Sequence, residues 1–386
     1  MGRLKTRRTH QYVVAFPVES AQKHWMSTRE LLNRIQSIPE NPRGVVHPKN
    51  WATAAKSVRD YLLQAPPWAA RVGSFLNRYP SPFEKVTFKS LDGTRLSAWL
   101  GRQEPSPGKG RRRGRSVELR EGILIVPGMF SSKDNILQRA RVLKIFRDWG
   151  YHVFAMDLRG FGESKRIHNT AGWREAEDVI AAVREFRKRV PIGVLHIYSE
   201  SLGATAALIA AARVARQGEK LIDGRLLAVS PYADLEFVTK YLSTQPVKSR
   251  EFYMVQWFFL RLLHLGGHNY KDFIEYTDAA AKAEGIPVSD LYQLSSAKNF
   301  VAEINVPTLI LHSYDDPVVP AQDADELERA LAHSTDPVLW RLTWGSHCLY
   351  ELMDPDWFWS VLRFYFDFAC PLPGPALGKD LAFHEA

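Results

Sequence analysis

The sequence has only two cysteines among its 386 residues, Cys348 and Cys370. So few cysteines exclude a disulfide framework and a cysteine-based metal cluster, and they agree with a reducing compartment. No apolar run reaches the roughly 18 residues that a bilayer span needs. The basic start of the chain is followed by a short apolar block, residues 13–16, which is too short for a signal-peptide core. We therefore expect a cytoplasmic protein.

Motifs for nucleotides and metals are lacking as well. Neither G-x-G-x-x-G nor G-x-x-x-x-G-K-[ST] occurs, so a nucleotide site has no support. His196, His264 and His268 have no carboxylate or cysteine at ligand spacing, and we expect them to make ordinary hydrogen bonds. The prediction is that the protein uses no cofactor and no metal.

The net charge of +9 is unevenly distributed along the chain. Residues 1–120 hold 23 Lys and Arg against 8 Asp and Glu, whereas the rest of the chain holds 28 against 34. The densest basic segment, flanked by proline and glycine, contains Lys109, Arg111, Arg112, Arg113 and Arg115. Its composition predicts a solvated loop, or alternatively a loop in weak contact with anionic lipid or another polyanion, rather than a specific nucleic-acid reader. Composition says nothing about the oligomeric state.

Periodicity divides the chain into an α/β core with additions. After a helical N-terminus, in which Ser27 and Glu30 have capping-box spacing, an antiparallel hairpin turns at Asp92 and Gly93. Strands then alternate with helices of ten or more residues, which predicts a parallel sheet covered on both faces. The predicted divisions are an N-terminal helical extension (1–82), a first part of the core (83–230), a helical insertion (231–299), a second part of the core (300–370) and a tail (371–386).

The insertion carries an aromatic, apolar helix over residues 252–265, which must be covered by protein, lipid or ligand. Because it interrupts strands that end at one edge of the sheet, it is a candidate lid or cap, or alternatively an extra packed layer. Phe130, Trp257 and Phe258 are candidates for an apolar substrate pocket.

One stretch, residues 194–212, joins an apolar β-branched run to a helix-forming run through the small residues of S-E-S-L-G. A sharp strand-to-helix turn pushes the serine at its tip, Ser201, outward, and it directs the first backbone amides of the helix at whatever the serine attacks. Ser201 is therefore a candidate nucleophile. The alternative is an ordinary turn with a capping serine.

A nucleophilic serine needs a base and a carboxylate that orients the base. Asp315 and Asp316 follow the predicted strand 308–312, and His347 follows the predicted strand 338–342. Carboxyl ends of parallel strands meet at one edge, so these side chains are expected near Ser201.

The order Ser, Asp, His along the chain is that of the α/β-hydrolase family, which the sequence resembles from about residue 83 to 368. The motifs that carry the resemblance are V-P-G-M-F, M-D-L-R-G-F-G-E-S, S-E-S-L-G, H-S-Y-D-D-P-V-V-P and G-S-H-C. In detail they resemble the esterase, thioesterase and acyl-peptidase branches of the family. Two positions depart from its pattern. Ser199 replaces the first glycine of the strand-to-helix turn around Ser201, which is called the elbow, and Pro127-Gly128 replaces the usual His-Gly pair.

The resemblance implies roles for individual residues. It makes Ser201 the nucleophile, His347 the general base and Asp316 the acid, with Asp315 as a near rival and Asp234 as a distant one. The backbone amides of Met129 and Leu202 would form the oxyanion hole. Asp157 and Arg159 are expected to brace a loop, and Cys348 to be a packed, unreactive thiol.

We therefore expect a serine hydrolase of the α/β-hydrolase fold that cleaves a small-molecule carboxylic ester or thioester with an apolar acyl or aromatic group. Alternatives on the same triad are an acyl-peptide or amide hydrolase, a carbon–carbon bond hydrolase and an acyltransferase. A non-catalytic binding protein of the same fold is the alternative from another class.

Overall fold

The computed structural model describes residues 27–38, 40, 83–103, 119–129, 131–133, 146–244, 273–332, 334 and 336–366. Every structural statement below concerns these residues. The basic segment, the predicted tail, the histidines at 264 and 268, and the aromatic helix of the insertion lie outside them.

Eight strands form one sheet in the order β1-β2-β4-β3-β5-β6-β7-β8. The strands are β1 (Phe83–Lys89), β2 (Arg95–Gly101), β3 (Arg120–Val126), β4 (His152–Asp157), β5 (Ile192–Glu200), β6 (Leu226–Val229), β7 (Thr308–Ser313) and β8 (Pro337–Leu342). Pairing is antiparallel between β1 and β2 and between β2 and β4, and parallel throughout the remainder.

Helices cover both faces of this sheet. Those described are α1 (Thr28–Ile35), α2 (Trp173–Arg189), α3 (Leu202–Arg216), α4 (Leu235–Thr244), α5 (Phe273–Glu284), α6 (Val288–Ser295), α7 (Ala321–Leu331), α8 (Tyr350–Met353) and α9 (Pro355–Phe366). Within the described part of the chain, no helix combines the length and the apolar character that a membrane crossing demands.

The central strands are buried on both sides, which explains why their sequences are apolar runs rather than alternations. One face packs against α2, α3 and the helices that follow β6, and this layer forms the larger apolar cluster. The other face packs against α1 and α9 in a cluster that is rich in aromatic rings. The ends of the central strands are therefore held between two packed layers.

The hairpin predicted at the start of the core is confirmed. Val86 and Phe88 are buried while their neighbours along β1 are exposed or half-buried. Gly93 has a φ of 84°, and the Asp92 carboxylate accepts a hydrogen bond from the amide of Thr94 at 2.9 Å. The turn thus needs a glycine for its left-handed backbone and an aspartate for its side-chain bond.

The predicted capping box at the N-terminus is also confirmed. The Ser27 hydroxyl accepts from the amide of Glu30, and the Glu30 carboxylate accepts from the amide of Ser27 at 3.0 Å. Buried Leu31 and Ile35 place α1 in the same cluster as α9. Since α1 is a small part of residues 1–82, the helical extension as a whole stays a prediction.

Between β6 and β7 the chain forms α4, α5, α6 and two short 3₁₀ turns, Ala297–Asn299 and Val301–Glu303. The Tyr276 hydroxyl of α5 donates to Asn169 Oδ1 at 2.7 Å, and the Ser295 hydroxyl at the end of α6 donates to the carbonyl of Thr170 at 2.7 Å. The helices that follow β6 are therefore fastened to the loop that precedes α2.

Candidate active site

Ser201 occupies the turn between β5 and α3 with an unusual backbone. Its φ of 50° and ψ of −124° lie where side chains other than glycine are strained. Its amide donates to the carbonyl of Val229 at 2.8 Å, and its carbonyl accepts the first helical hydrogen bond, from Thr205, at 3.0 Å. The neighbouring strand and the helix together hold the strained turn in place.

Small residues around Ser201 allow the close packing that this turn requires. A Cβ at Gly203 would lie 2.2 Å from the carbonyl oxygen of Pro127. A Cβ at Gly128 would lie 3.0 Å from the Cβ of Ser201. Ser199, which departs from the family pattern, is fully buried and donates its hydroxyl to the carbonyl of Leu227 at 3.0 Å. The extra side chain is therefore accommodated by a hydrogen bond to β6.

A continuous chain of hydrogen bonds links Ser201 to a histidine and a carboxylate. Ser201 Oγ lies 2.8 Å from His347 Nε2, and His347 Nδ1 lies 2.8 Å from Asp316 Oδ2 and 3.1 Å from Asp316 Oδ1. With the ring proton on Nδ1, His347 donates to Asp316 and its Nε2 accepts from the serine hydroxyl. The three residues that the sequence analysis selected therefore lie together.

Asp316 is buried and held by the turn that follows β7. Its Oδ1 accepts from the amides of Val318 and Val319 at 2.8 Å and 2.9 Å. The carbonyl of Val319 lies 3.0 Å from His312 Nε2. Burial lowers the pKa of His312, so the neutral ring donates from Nε2 and braces the turn that carries Asp316.

The two rival carboxylates have other partners. Asp315 accepts from the Ser313 hydroxyl and from the amide of Ser346 at 2.8 Å, so it fastens the loop that carries His347. Asp234 forms an ion pair with Lys298 and caps the start of α4.

Leu202 and Met129 both border the same cavity as Ser201 and His347. Leu202 is the first residue of α3, so its amide has no acceptor within the helix. Met129 lies in the turn that closes with a hydrogen bond from the Ser131 amide to the Gly128 carbonyl at 3.3 Å. These positions are compatible with two amides that face one oxyanion.

The cavity is small, about 70 Å³, and its lining is mostly apolar. The described lining residues are Met129, Ala171, Ser201, Leu202, Tyr232, Leu235, Val238, Thr239, Leu242, Phe273, Tyr276, Thr277, Val318, Val319 and His347. No acidic side chain stands among them. Seven of these residues belong to α4 and α5.

The sequence analysis missed these seven residues and selected three others. Phe130, Trp257 and Phe258, which it nominated for the pocket, lie outside the described residues. In α4, Leu235, Val238, Thr239 and Leu242 recur at helical spacing, a signal that indicates a buried face. Nothing local in the sequence distinguishes a face that lines a cavity from one that packs in the core.

The bracing role expected of Asp157 and Arg159 is confirmed. Arg159 is buried and pairs with Asp178 and Asp92, at 2.6 Å and 2.8 Å. Asp157 forms a buried ion pair at 2.5 Å with Lys133, which the sequence analysis did not single out. This pair fixes the loop that contains Met129 to the end of β4.

Glu163 joins the same cluster through Lys133 at 2.9 Å. Burial raises the pKa of Glu163, but hydrogen bonds from Lys85 and Lys133 outweigh this effect and lower the pKa to about 2. Glu163 therefore stays ionised across the physiological range.

Other candidate residues have structural partners. His196 Nδ1 accepts from the amide of Arg225 at 2.9 Å, as an ordinary core histidine does. The Cys348 thiol donates to the carbonyl of Val229 at 3.6 Å. Among the described residues, no group of three or more histidine, cysteine or acidic side chains is arranged to hold a metal ion.

The chain is similar to several known proteins. The family model described as serine aminopeptidase, S33, matches residues 118–349. Lysophosphatidylserine lipase ABHD12 of Danio rerio is 27% identical over 203 residues, which are 51% of this chain and 44% of the relative. The match therefore spans less than half the length of that curated relative.

Two solved structures illustrate the shared fold. The esterase Pf2001 of Pyrococcus furiosus aligns with a TM-score of 0.52 and 17% identity, over 75% of this chain and 96% of that one. The 2,6-dihydroxy-pseudo-oxynicotine hydrolase aligns with a TM-score of 0.51 and 18% identity, over 76% of this chain and 71% of that one. At these identities the likeness concerns the fold alone.

Proposed function

The chain belongs to the serine aminopeptidase S33 family and has the α/β-hydrolase fold, and from this premise we propose that it hydrolyses a carboxylic ester or thioester through an acyl-enzyme. The observation that carries the proposal is the hydrogen-bonded series Ser201, His347 and Asp316 beside an apolar cavity. The triad roles of these three residues are part of the proposal.

In the first step, His347 Nε2 takes the proton of Ser201 as Oγ forms a bond to the carbonyl carbon. Asp316 stabilises the imidazolium, and the amides of Leu202 and Met129 bind the oxyanion; each is worth about 3 kcal/mol by analogy with other oxyanion holes. The tetrahedral intermediate collapses, and the leaving alcohol or thiol receives the proton from His347. Water, deprotonated by the same histidine, then attacks the acyl-enzyme and releases the acid.

The cavity favours an ester over a peptide. An aminopeptidase must bind the α-ammonium group of its substrate, and a buried ammonium needs an anionic partner. The described lining offers apolar side chains, hydroxyls and the catalytic histidine, but no carboxylate. The name of the Danio rerio relative, a lysophosphatidylserine lipase, points in the same direction. Amide hydrolysis is the second candidate, because the matching family is described as a serine aminopeptidase.

The segment 231–299 would act as a cap that selects substrates, since α4 and α5 supply about half of the described lining. Contact of the basic segment at 109–115 with anionic surfaces, and a cytoplasmic location, stay predictions.

A substrate panel tests the proposal. It contains p-nitrophenyl esters from acetate to dodecanoate, one acyl thioester and one aminoacyl p-nitroanilide, each assayed with the wild type and with Ser201→Ala. We expect turnover of esters or thioester at rates well above the anilide, and a loss of about 10⁶ in kcat in Ser201→Ala if the triad works as a unit. Faster turnover of the anilide would favour the amide hydrolase, and turnover of no substrate would favour a binding protein.

A further inference from the structure

The polar side chains that line the catalytic cavity are almost all paired within the protein. Ser201 and His347 bind each other, the Tyr232 hydroxyl donates to the carbonyl of Ala171, the Tyr276 hydroxyl donates to Asn169, and the Thr277 hydroxyl donates to carbonyls one turn back in α5. Thr239 is the exception among the described lining residues. Its side chain is fully buried, and its Oγ1 has no hydrogen-bond partner.

The unpaired state of Thr239 is unusual for its position. A threonine inside a helix commonly donates to the carbonyl three or four residues earlier, which satisfies a buried hydroxyl locally. Ser243, on the same helix, does this by donating to the carbonyl of Thr239 at 2.9 Å. Thr277 does it on α5, at 3.0 Å and 3.2 Å. The Thr239 hydroxyl makes no such bond.

An unpaired buried hydroxyl lowers stability, because it has lost its bonds to water and gained none in return. Valine has nearly the same shape and would fill the position without that cost. The neighbouring lining on α4, from Leu235, Val238 and Leu242, is apolar, so a hydrogen bond made there would be strong and selective. Thr239 borders the cavity beside Ser201 and carries a hydroxyl that is costly for the free protein, and a bound group explains this combination best.

We propose that Thr239 is a specificity-determining residue whose hydroxyl binds an oxygen atom of the substrate. The group that enters this cavity would then be an acyl or alcohol moiety that carries a hydroxyl, ether or carbonyl oxygen, rather than a plain hydrocarbon. This inference rests on the proposed function, because it takes the cavity to be the substrate pocket.

Matched substrate pairs test the inference on the full chain. One series consists of p-nitrophenyl hexanoate and its 4-, 5- and 6-methoxy derivatives, and the other of propyl hexanoate and the monohexanoyl esters of 1,2- and 1,3-propanediol. The measured quantity is the ratio of kcat/KM between each oxygenated ester and its plain parent. We expect at least one oxygenated ester to be preferred, and its ratio to fall roughly tenfold in Thr239→Val. Thr239→Ser, which retains the hydroxyl, should preserve the ratio.

Ser243→Ala is the matched control, since it removes a paired hydroxyl from the same helix at a position that is not among the described lining residues. It should leave the oxygen preference in place but lower the melting temperature. Thr239→Val should keep or raise the melting temperature, because it removes an unpaired hydroxyl. A purely structural role for Thr239 predicts the reverse, a loss of stability without a change in the substrate ratio.

Two results would overturn the inference: an oxygen preference that is unaltered in Thr239→Val, or hydrolysis of the plain esters with no oxygenated ester preferred in either series. In both cases the esters are turned over, so the proposed function stands. If the wild type hydrolyses no ester of either series, the inference fails; if it also hydrolyses no ester or thioester of the panel, the proposed function fails as well.

Discussion

At the residue scale, the two adjacent carboxylates after β7 have different tasks. Asp316 contacts the ring of His347, whereas Asp315 contacts the amide of Ser346 one residue earlier. The sequence placed both at the correct edge of the sheet. It could not separate them by physics alone, because both carboxylates follow the same strand, and the choice of Asp316 rested on the family resemblance.

The asparagine variants of these two residues should differ strongly. In Asp316→Asn the orienting negative charge is lost, so we expect kcat/KM to fall by roughly 10⁴, as in other buried Ser-His-Asp systems. In Asp315→Asn the fall should stay within about tenfold, since one accepting oxygen remains for Ser346. Steady-state kinetics on the best ester of the panel measures both. If Asp315→Asn is the more damaging variant, the assignment of the acid is wrong.

At the element scale, the elbow shows where local sequence is most informative. The helix-forming run after S-E-S forms α3, which begins at Leu202 and continues to Arg216. Gly203 lies in a helix and is needed for its small size rather than for backbone flexibility. Its lack of a side chain lets α3 approach the end of β3. The motif S-E-S-L-G identifies the turn, but the backbone that Gly203 approaches lies at the end of another strand, β3.

Gly203→Ala should therefore lower both stability and activity. Alanine is the better helix former by about 0.5–1 kcal/mol. The added Cβ would meet the carbonyl of Pro127 at 2.2 Å, which we expect to cost about 1–3 kcal/mol net through displacement of the backbone beside Ser201. Ser199→Gly is the control, because it restores the family pattern and loses a single hydrogen bond. Denaturant unfolding and kcat measure the pair; an alanine at 203 that stabilises the protein would contradict this account.

Asp323, in the first turn of α7, links two elements and should make their contact pH-dependent. It accepts from the amides of Ala233 and Asp234 at 2.6 Å and 3.0 Å, just before α4. Burial raises the pKa of Asp323 to about 7, whereas in the unfolded chain the pKa is close to 4. Between pH 4 and pH 7 Asp323 is therefore protonated to a greater extent in the folded state than in the unfolded state. The contribution of this group to the free energy of unfolding consequently falls as pH rises from 4 to 7.

The size of that effect is on the order of 4 kcal/mol at most, from about three pKa units at 1.36 kcal/mol each. Urea unfolding of the wild type and of Asp323→Asn at pH 4, 5, 6 and 7 tests it. The difference in unfolding free energy, wild type minus variant, should decrease across this series. A difference that is constant or that increases with pH would show that Asp323 is ionised in the folded state.

At the scale of the whole molecule, the sequence predicts the sheet and its edge well and the cavity poorly. Alternating strands and helices predict a parallel sheet, and the carboxyl ends of parallel strands place Ser201, Asp316 and His347 at one edge. About half of the described cavity lining comes from α4 and α5, which meet from separate stretches of the insertion. The buried Lys133–Asp157 pair likewise joins two loops that no local pattern relates.

The aromatic cluster between the sheet and α9 should influence the loop that carries His347. Trp357 packs against Trp344 and Tyr350, with ring centroids 4.9 Å and 6.4 Å away. The Tyr350 ring occupies the space beside Gly345, in the loop that carries His347. Trp359, two residues along α9, instead packs against Trp149 and Phe358.

Trp357→Ala and Trp359→Ala should each lower the free energy of unfolding by about 3–5 kcal/mol, as large buried rings do. Only Trp357→Ala should also reduce kcat per folded molecule, because it loosens the support of the His347 loop. Active-site titration at low temperature corrects the rates for the folded fraction. Equal specific activities of the two variants would contradict a link between this cluster and His347.

The central claim, that Ser201 is the nucleophile, is tested most directly by covalent labelling with a fluorophosphonate and mass spectrometry of the intact protein and its peptides. The folded wild type should gain one equivalent of the probe, on Ser201. Ser199→Ala, which changes the neighbouring buried serine, should be labelled at the same position, and Ser201→Ala should not be labelled. A folded wild type that does not react, or a Ser201→Ala variant that is labelled as fast as the wild type, would contradict the claim.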